Sequence, residues 1–575
     1  VQHCTAPISI DFDDMERENT MNLSASAVRW NDAMVKLLSD LQVMQGNPYD
    51  IGGLLDVNKG FTEPAAGARL ADVFLSAHYN PQSLYHGQLE MLTRAKMAME
   101  HLLFNMHEDG TIDLLETNYH DSTANAFCTH LLGYTHRLIR TFSQHTPLED
   151  EIQALLLRFL QNSARAMING GFHTPNHRWV MAAALALCYQ ELGDDACRAM
   201  MQQYLDEGID NDAEGEYTEH SVGIYDIVCD LSLLMISREM NMPELIIPVM
   251  RNLEKLPYYI EPDGSIATLN SRRQDFGKKL YAFPYLLDCL LALKVPHDES
   301  DARYQRLMGV AEYLYQLYLD HEDKLTWPPD ASQFLTQFML EPSLAEVVHP
   351  SIPLQTAYRK LFPLSGVARA RMGKAALTLV RQRPVFCKLQ VGELTLMLRM
   401  ASNFFGTGQL ISTDIEPIAN GWRLQRVTEG GYMRPLGKAA GTIVWEDIPR
   451  EKRQWVNMQH LTLTMDVLVF ENRVELALTV DGNLRLPWKL EGILSPGGAL
   501  TTQDGAFSTG EGDTAILEHG FTYRLGKDEI TWSDGLKQHV FAEMMRNSLP
   551  KEAKAFTIYN TGLAPQGHRV TLTWK

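Results

Sequence analysis

The sequence predicts an α+β multidomain chain: an N-terminal (α/α) toroid over residues 1–365, then a C-terminal antiparallel β-sandwich over 366–575. Three observations predict it. The hydrophobic period is helical up to about residue 365 and drops to two beyond it. Within the helical half, amphipathic segments alternate with segments that are apolar on every face. At 575 residues the chain is also too long for one ordinary core.

In order along the chain, "AFCTHLLGY" (126–134) is apolar all round, as a buried helix is. "LEDEIQALLLRFLQNSARAMI" (148–168) spaces its apolar residues at three and four, the signature of an amphipathic helix. "VMAAALALCY" (180–189), "IVCDLSLLMI" (227–236) and "YLLDCLLAL" (285–293) are again apolar on every face, and "DARYQRLMGVAEYLYQLYLD" (301–320) is amphipathic. Two concentric rings, each helix pair giving one outer and one inner member, explain this alternation. A large irregular helical domain is the competing arrangement. After "LFPLSGVARARMG" (361–373), the stretches "ALTLV", "GELTLMLRM", "LTLTMDVLVF", "RVELALTV" and "RVTLTWK" alternate or run β-branched between turns such as "VDGN" and "SPGG". Some 200 residues of short strands without a long helix suggest a sandwich.

Composition narrows the function classes. With 45% hydrophobic and 21% charged residues, the chain reads as globular. A net charge of −20 argues against nucleic acid as the main partner. It leaves room for a polyanionic sugar held in a local basic pocket. No apolar run is long enough to span a membrane, so no membrane partner is expected. The seven cysteines, from Cys4 to Cys387, are odd in number and widely spaced, without paired metal-ligand spacing. That leans towards a reducing, cytoplasmic compartment. "VQHCTAPISIDFDD" has no signal pattern, although secretion or a periplasmic location after removal of a signal is the alternative.

The polar residues cluster just ahead of each all-apolar helix. "TNYHDSTAN" brings Asn118, His120 and Asp121; "FHTPNHRW" brings His173, Asn176, His177, Arg178 and Trp179. "EGEYTEHSVGIYD" brings Glu216, Tyr217, Glu219, His220 and Tyr225; "TLNSRRQDFGKK" brings Asn270, Arg272, Arg273 and Gln274. Inner helices pointing one way would gather these clusters at one end of the ring. Thr174 is a candidate N-cap with Pro175 at the first helical position, which sets Asn176, His177 and Arg178 in the first turn. Helix N-termini suit anions. Thr218 is a second candidate cap, with Ser221 and Tyr225 at i,i+4.

Asn, His, Tyr, Arg and Gln without a phosphate loop or a nucleophile elbow suit β-elimination on a uronic-acid glycan. That reaction takes the C5 proton beside a carboxylate and expels the 4-linked sugar. The carboxylate must be neutralised as charge develops, which amides, guanidinium or imidazolium can do. A base and an acid complete the step. Tyr225 is assigned as acid and as base, and His177 as base on one substrate epimer. Asn176 and either Arg272 or Arg273 would hold the carboxylate. Trp179 and Tyr217 are candidates to stack on sugar faces. Asn118, His120, Arg178, Glu219 and Gln274 are further substrate contacts.

"DGTIDLLETNYHDS", "TPNHRW", "DAEGEYTEHSVGIYD" and "LNSRRQD" give the chain a resemblance to the heparinase II/III-like polysaccharide lyases. The resemblance implies a toroid followed by a β-sandwich, catalytic roles for Asn176, His177 and Tyr225, and eliminative cleavage leaving a 4,5-unsaturated uronate end. Two departures stand out. The early sandwich region, where many members carry an "HxHxD"-like stretch, reads "CKLQVGELTLMLRMASNFFGTGQ" without histidine, so no metal or other cofactor is expected. The usual "YH" step reads "IYD". Asn403 and Gln409 stand as substitute sugar contacts from the sandwich.

Two other readings stay open. A glycoside hydrolase on the same scaffold would use paired carboxylates, with Asp121, Glu216 and Glu219 as candidates. A glycan-binding protein would keep the fold without the chemistry. The expected partner is an acidic polysaccharide or oligosaccharide in every case, with assembly into a homo-oligomer open.

Overall fold

The computed structural model describes residues 23–296, 301–320, 331–346, 355–543, 545–546 and 548–575. Cys4 and the "VQHCTAPISIDFDD" segment lie outside them. The chain divides into a helical unit (23–257, 272–275 and 280–346 of the described residues) and a β unit (258–271, 276–279 and 355–575).

The helical unit runs α1 (Leu23–Leu41), a hairpin of β1 (Leu55–Asp56) and β2 (Phe61–Thr62), α2 (Ala66–Tyr79) and α3 (Leu89–Phe104). A second hairpin, β3 (Ile112–Leu114) and β4 (Asn118–Asp121), leads into α4 (Ser122–Phe142), α5 (Pro147–Ile168), α6 (Pro175–Leu192) and α7 (Asp195–Asp206). Then come α8 (Tyr225–Met240), α9 (Ile246–Tyr259), α10 (Tyr285–Lys294), α11 (Ala302–Asp320) and α12 (Ala331–Leu340). Helices α2, α4, α6, α8 and α10 pack in succession; α12 packs against both α2 and α4, and the short turn Pro342–Ala345 that follows it meets both α12 and α10, completing the inner ring. Outer helices α3, α5 and α7 each pair with the preceding inner helix, as α11 does with α10. The two-ring reading is therefore the observed one.

Sequence explains which helices go inside. In α6 every side chain from Trp179 to Cys188 is buried, so no polar face is needed. In α5, Ile152, Leu156, Phe159, Leu160 and Ser163 form one buried stripe, and a Thr146–Glu149 capping box starts the helix. Cys128, Cys188, Cys197, Cys229, Cys289 and Cys387 are free and buried, packing as small hydrophobes.

The β unit holds β5 (Ala357–Phe362), β6 (Val367–Met372), β7 (Ala375–Val380), β8 (Val385–Val391), β9 (Leu394–Ser402), β10 (Glu416–Ile418), β11 (Gly421–Met433), β12 (Trp455–Val469) and β13 (Arg473–Asp481). It continues with β14 (Pro487–Leu494), β15 (Ala499–Thr502), β16 (Gly505–Ser508), β17 (Thr514–Ile516), β18 (Phe521–Leu525), β19 (Asp528–Trp532), β20 (Phe556–Leu563) and β21 (Gln566–Trp574). One sheet has the order β10-β11-β12-β13-β21-β19-β18-β15-β16, the other β17-β20-β14-β9-β8-β7-β6-β5. All pairings are antiparallel except β17 with β20. In β12, Leu461, Leu463, Met465, Val467 and Val469 face a shared core that includes Leu377, Leu389, Leu398 and Leu490 of the other sheet. The intervening residues of β12 face outward, as a half-buried strand requires.

The sandwich starts at Ala357, and it also takes in residues 258–271 and 276–279, which lie in sequence between helices α9 and α10. Glu261 anchors that segment. Its buried carboxylate meets the Arg369 guanidinium at 3.0 Å and the Lys388 ammonium at 3.2 Å. Burial opposes ionisation, but the two cations outweigh it and hold the Glu261 carboxyl at about 2. Removing the carboxylate leaves a buried arginine uncompensated, so Glu261→Ala is expected to lower stability by about 3–5 kcal/mol. Because the folded-state value lies below the unfolded one, the Glu261 contribution is present above about pH 4.5 and lost as pH falls towards 2. Urea unfolding followed by tryptophan fluorescence at neutral pH and at pH 3 checks both statements, the gap between variant and parent narrowing at the lower pH.

Candidate functional site

Three inner helices bring their first turns together within the helical unit. Asp121 caps α4 by accepting from the backbone N–H groups of Thr123 and Ala124. The Thr123 hydroxyl donates to the Gly171 carbonyl at 3.3 Å, just ahead of α6. Helix α6 packs directly against both α4 and α8.

The start of α6 has an unusual cap. Thr174 occupies the N-cap position, but its hydroxyl makes no capping bond. The acceptor comes from another segment. Glu219 Oε2 accepts from the Asn176 backbone N–H at 3.2 Å and from Asn176 Nδ2 at 2.7 Å. The anion expected at this helix N-terminus is thus a carboxylate of the protein itself. The other oxygen of Glu219 lies 3.1 Å from Arg273 Nε. Arg273 in turn places its guanidinium over the Tyr225 ring, 4.9 Å from the centroid. The Tyr225 hydroxyl donates to Gln274 Oε1 at 3.1 Å. One chain of contacts therefore runs from the mouth of α6 through Glu219 to Arg273, Tyr225 and Gln274.

Tyr225 is the first residue of α8, and its backbone N–H is met by the Ser221 hydroxyl at 3.2 Å. Ser221 also donates to Asp275 at 2.9 Å, and Asp275 accepts from the Gly223 N–H at 3.1 Å. These bonds fix the Arg273–Gln274 segment against the start of α8. Thr218, expected as a cap, lies ahead of that start and plays no capping part.

His177 stands in the first turn of α6, edge-on to His173 at 4.6 Å and to Phe127 at 6.2 Å between ring centroids. Its Nδ1 is buried with no hydrogen-bond partner. Burial, then the neighbouring His173, push the imidazole down to about 4, against the pull of Asp121. The ring is neutral at physiological pH, so it is able to accept a proton. Burial raises the Glu219 carboxyl, a shift that the Asn176 hydrogen bond and the Arg273 charge oppose.

Several expected contacts are corrected by burial and pairing. Trp179 is fully buried and donates to Asp210 at 2.8 Å; Tyr217 is fully buried and donates to Asp230 at 2.7 Å. Neither is able to stack on a sugar. Arg178 is drawn into ion pairs with Glu207 and Asp210 at 3.2 and 3.1 Å, towards the α7 side. Asn176 is fully buried, with its amide N–H groups directed to Glu219 and Thr174. Flipping the amide would set its oxygen against a carboxylate, so Asn176 orients Glu219 and does not present N–H groups to a ligand.

The remaining residues hold varied places. Asn118 donates to Asp121 at 3.0 Å, while exposed His120 pairs with Asp109 at 2.8 Å and stacks on His107 at 3.8 Å. Arg272 is exposed, with its backbone N–H on the Glu219 carbonyl at 3.2 Å. Asn403 is exposed in the β unit. Lys255, which the sequence reading missed, is buried beside Glu216 at 3.1 Å and Asp226 at 3.6 Å. A lysine inside a helical pattern gives no sign of such burial. Glu216 is thereby committed to an interior ion pair and Asp121 to its cap, so neither is placed to act as one of a hydrolase's two carboxylates. Among the described residues, no group of three or more His, Cys, Asp or Glu side chains is placed to hold a metal ion, and no helix is long and apolar enough to cross a membrane.

The neutral state of His177 is directly testable. Its Cε1–H resonance is expected to titrate near pH 4 and not near the ordinary 6.5. The folded value lies below the unfolded one, so stability present above about pH 6.5 is lost as pH falls towards 4. Carbon-13 histidine NMR, assigned with His177→Gln, reads the midpoint; a value near 6.5 contradicts the burial described.

No family model matches the chain, and no curated protein matches its sequence. Solved structures do match in fold. A xanthan lyase from Paenibacillus aligns at a TM-score of 0.56 and 10% identity, over 96% of this chain and 57% of that one. The chain thus spans little more than half the length of that enzyme. The chondroitin AC lyase of Streptomyces coelicolor A3, in complex with chondroitin sulphate, aligns at 0.53 and 13% identity, over 97% of this chain and 80% of that one. A variant of the same enzyme aligns at 0.54 and 11% identity. The chain therefore has the toroid-plus-sandwich fold of solved polysaccharide lyases.

Proposed function

We propose that the chain is a polysaccharide lyase that cleaves a uronate-containing glycan by β-elimination, leaving a 4,5-unsaturated uronate end. One observation carries the reading: Glu219 joins the first turn of α6, which bears His177, to Arg273 and through it to Tyr225. The fold shared with xanthan and chondroitin AC lyases supports the same reaction class, and the "TPNHRW" and "EYTEHSVGIYD" segments support a heparinase II/III-like relationship.

In this reading Arg273 faces the uronate carboxylate and offsets the charge that builds on it as the C5 proton leaves. Tyr225, under the same guanidinium, gives a proton to the departing 4-oxygen and takes the C5 proton on one face of the ring. Neutral His177 takes it on the other face. Asn176 and Glu219 act as positioning residues, because a base displaced by an ångström loses much of its effect. No step needs a metal from this constellation.

Incubation with a panel of polyuronates, followed in the ultraviolet band of the unsaturated uronate, tests the proposal. Absorbance is expected to rise with at least one of them. Tyr225→Phe is expected to cut kcat by about 10²–10⁴-fold with folding intact. With His177 neutral above about pH 4, activity due to it is expected to persist below the ordinary histidine range. Reducing ends released without absorbance would instead mark a hydrolase, and neither signal would mark a binding protein.

A further inference from the structure

Strands β11 and β12 run on past their neighbours in the sheet as an arm. Strand β10 pairs with β11 only as far as Arg423, and β13 pairs with β12 only from Thr462 on. Beyond those points β11 and β12 pair with each other alone, up to Met433 and Trp455. Among the described residues no third strand joins this ribbon, so both of its edges are open. The connection 434–454 folds into three short 3₁₀ turns, Gly437–Ala440, Trp445–Asp447 and Arg450–Lys452. Phe405 packs on the Tyr432 ring at 5.6 Å, yet no residue from 431 to 460 is buried. A two-stranded ribbon by itself is only marginally stable in water, and open edges invite pairing. Seven of the 25 large apolar side chains exposed among the described residues stand on residues 431–460; Ile443 is 100% exposed and Trp445 59%. An apolar surface gathered in this way marks a contact site.

Composition and charge say what covers it. Trp, Tyr, Met and Arg are the residues enriched at protein–protein interfaces, and the arm shows Tyr432, Met433, Trp445 and Trp455 beside Arg450 and Arg453. Both guanidinium groups lie over the Trp445 ring, 4.9 and 5.7 Å from its centroid, which sets positive charge next to the apolar tip. The connection 434–454 carries five Lys and Arg against three Asp and Glu, and residues 355–575 as a whole carry 27 against 21. The helical unit has the opposite sign: residues 23–257 carry 15 Lys and Arg against 31 Asp and Glu, and Asp150, Asp195 and Asp206 on its outer helices are exposed. A second copy of the chain therefore supplies the complementary surface, whereas arm against arm would set like charge together. We propose that the β11–β12 arm is a dimerisation element that lies on the acidic helical unit of a second copy. A two-fold axis returns the contact, so each copy gives an arm and receives one. One arm has about as many residues as one side of a standard interface. None of this depends on the lyase reading.

Light scattering of the full chain during size-exclusion chromatography tests the proposal. The mass is expected to be twice that of the 65.0 kDa chain. The dimer fraction is expected to fall between about 0.1 and 1 M salt, as screening removes the charge attraction. Trp445→Ala is expected to raise the dimer dissociation constant at least about thirtyfold, as loss of a central aromatic anchor does. Arg450→Glu combined with Arg453→Glu is expected to raise it at least about tenfold. These side chains are not buried, so circular dichroism of the variants is expected to match the parent. In an equal mixture of isotope-labelled and unlabelled chain, a lysine cross-linker is expected to join Lys438 or Lys452 of one copy to Lys36, Lys59 or Lys96 of the other. A monomer at every concentration overturns the proposal, as does a dimer that neither variant weakens. Mixed cross-links that join arm only to arm overturn it too. So does a monomer held on a sulphated-glycan column through the arm, which would make the arm a glycan site instead.

Discussion

A buried carboxylate shared between a helix N-terminus and a guanidinium organises this site. Glu219 takes two N–H groups of Asn176 with one oxygen and approaches Arg273 Nε with the other. Burial disfavours an ionised acid at that depth, and the helix N-terminus and the arginine offset part of that cost. Because the partners lie on segments more than 40 residues apart in sequence, the carboxylate sets their spacing, and the spacing sets where Tyr225 and His177 stand. The remaining features are consistent with that constraint: Ser221 and Asp275 hold the start of α8, and Asp121 holds the start of α4.

The arrangement also accounts for the polar residues crowded at the mouth of a helix that is otherwise apolar all round. The body of α6 needs no polar face because other helices surround it. Its first turn lies where three inner helices begin, and there each N-terminus must find acceptors. Side chains supply them, and the residues left over, His177 and Tyr225, are the ones with titratable groups and partial exposure. Burial leaves His177 neutral without a dedicated partner at Nδ1. A structural histidine would normally be bonded there.

The architecture was largely legible in the sequence, because periodicity reports burial directly. The all-apolar segments became the inner helices α4, α6, α8 and α10, and the period-two stretches became β7, β9, β12, β13 and β21. The placement of residues 258–271 on the β unit was not legible, since it depends on Glu261 meeting Arg369 and Lys388 more than 100 residues away. At the site, the convergence of the clusters around 176, 219, 225 and 273 was legible from their positions before each helix. The directions of individual side chains were not. Trp179 and Tyr217 sit one or two residues from site groups yet turn inward to Asp210 and Asp230: along α6 a helix advances about 100° per residue, so Trp179 faces away from His177, and Tyr217 lies in an extended bridge to Asn211 outside any helix. The role of Glu219 was hidden for a related reason: a Thr-Pro start normally caps itself, and only the fold reveals that the cap comes from another segment.

Energetic coupling between Glu219 and Arg273 is what positions the site, and a double-mutant cycle measures it most directly. Glu219→Gln, Arg273→Gln and the double variant are compared with the parent by kcat/KM on a uronate glycan, with folding monitored alongside. If the carboxylate sets the position of the guanidinium, the two losses are expected to be non-additive by more than about 0.5 kcal/mol. Losses that simply add, or a parent protein that yields no unsaturated uronate from any polyuronate, would contradict it.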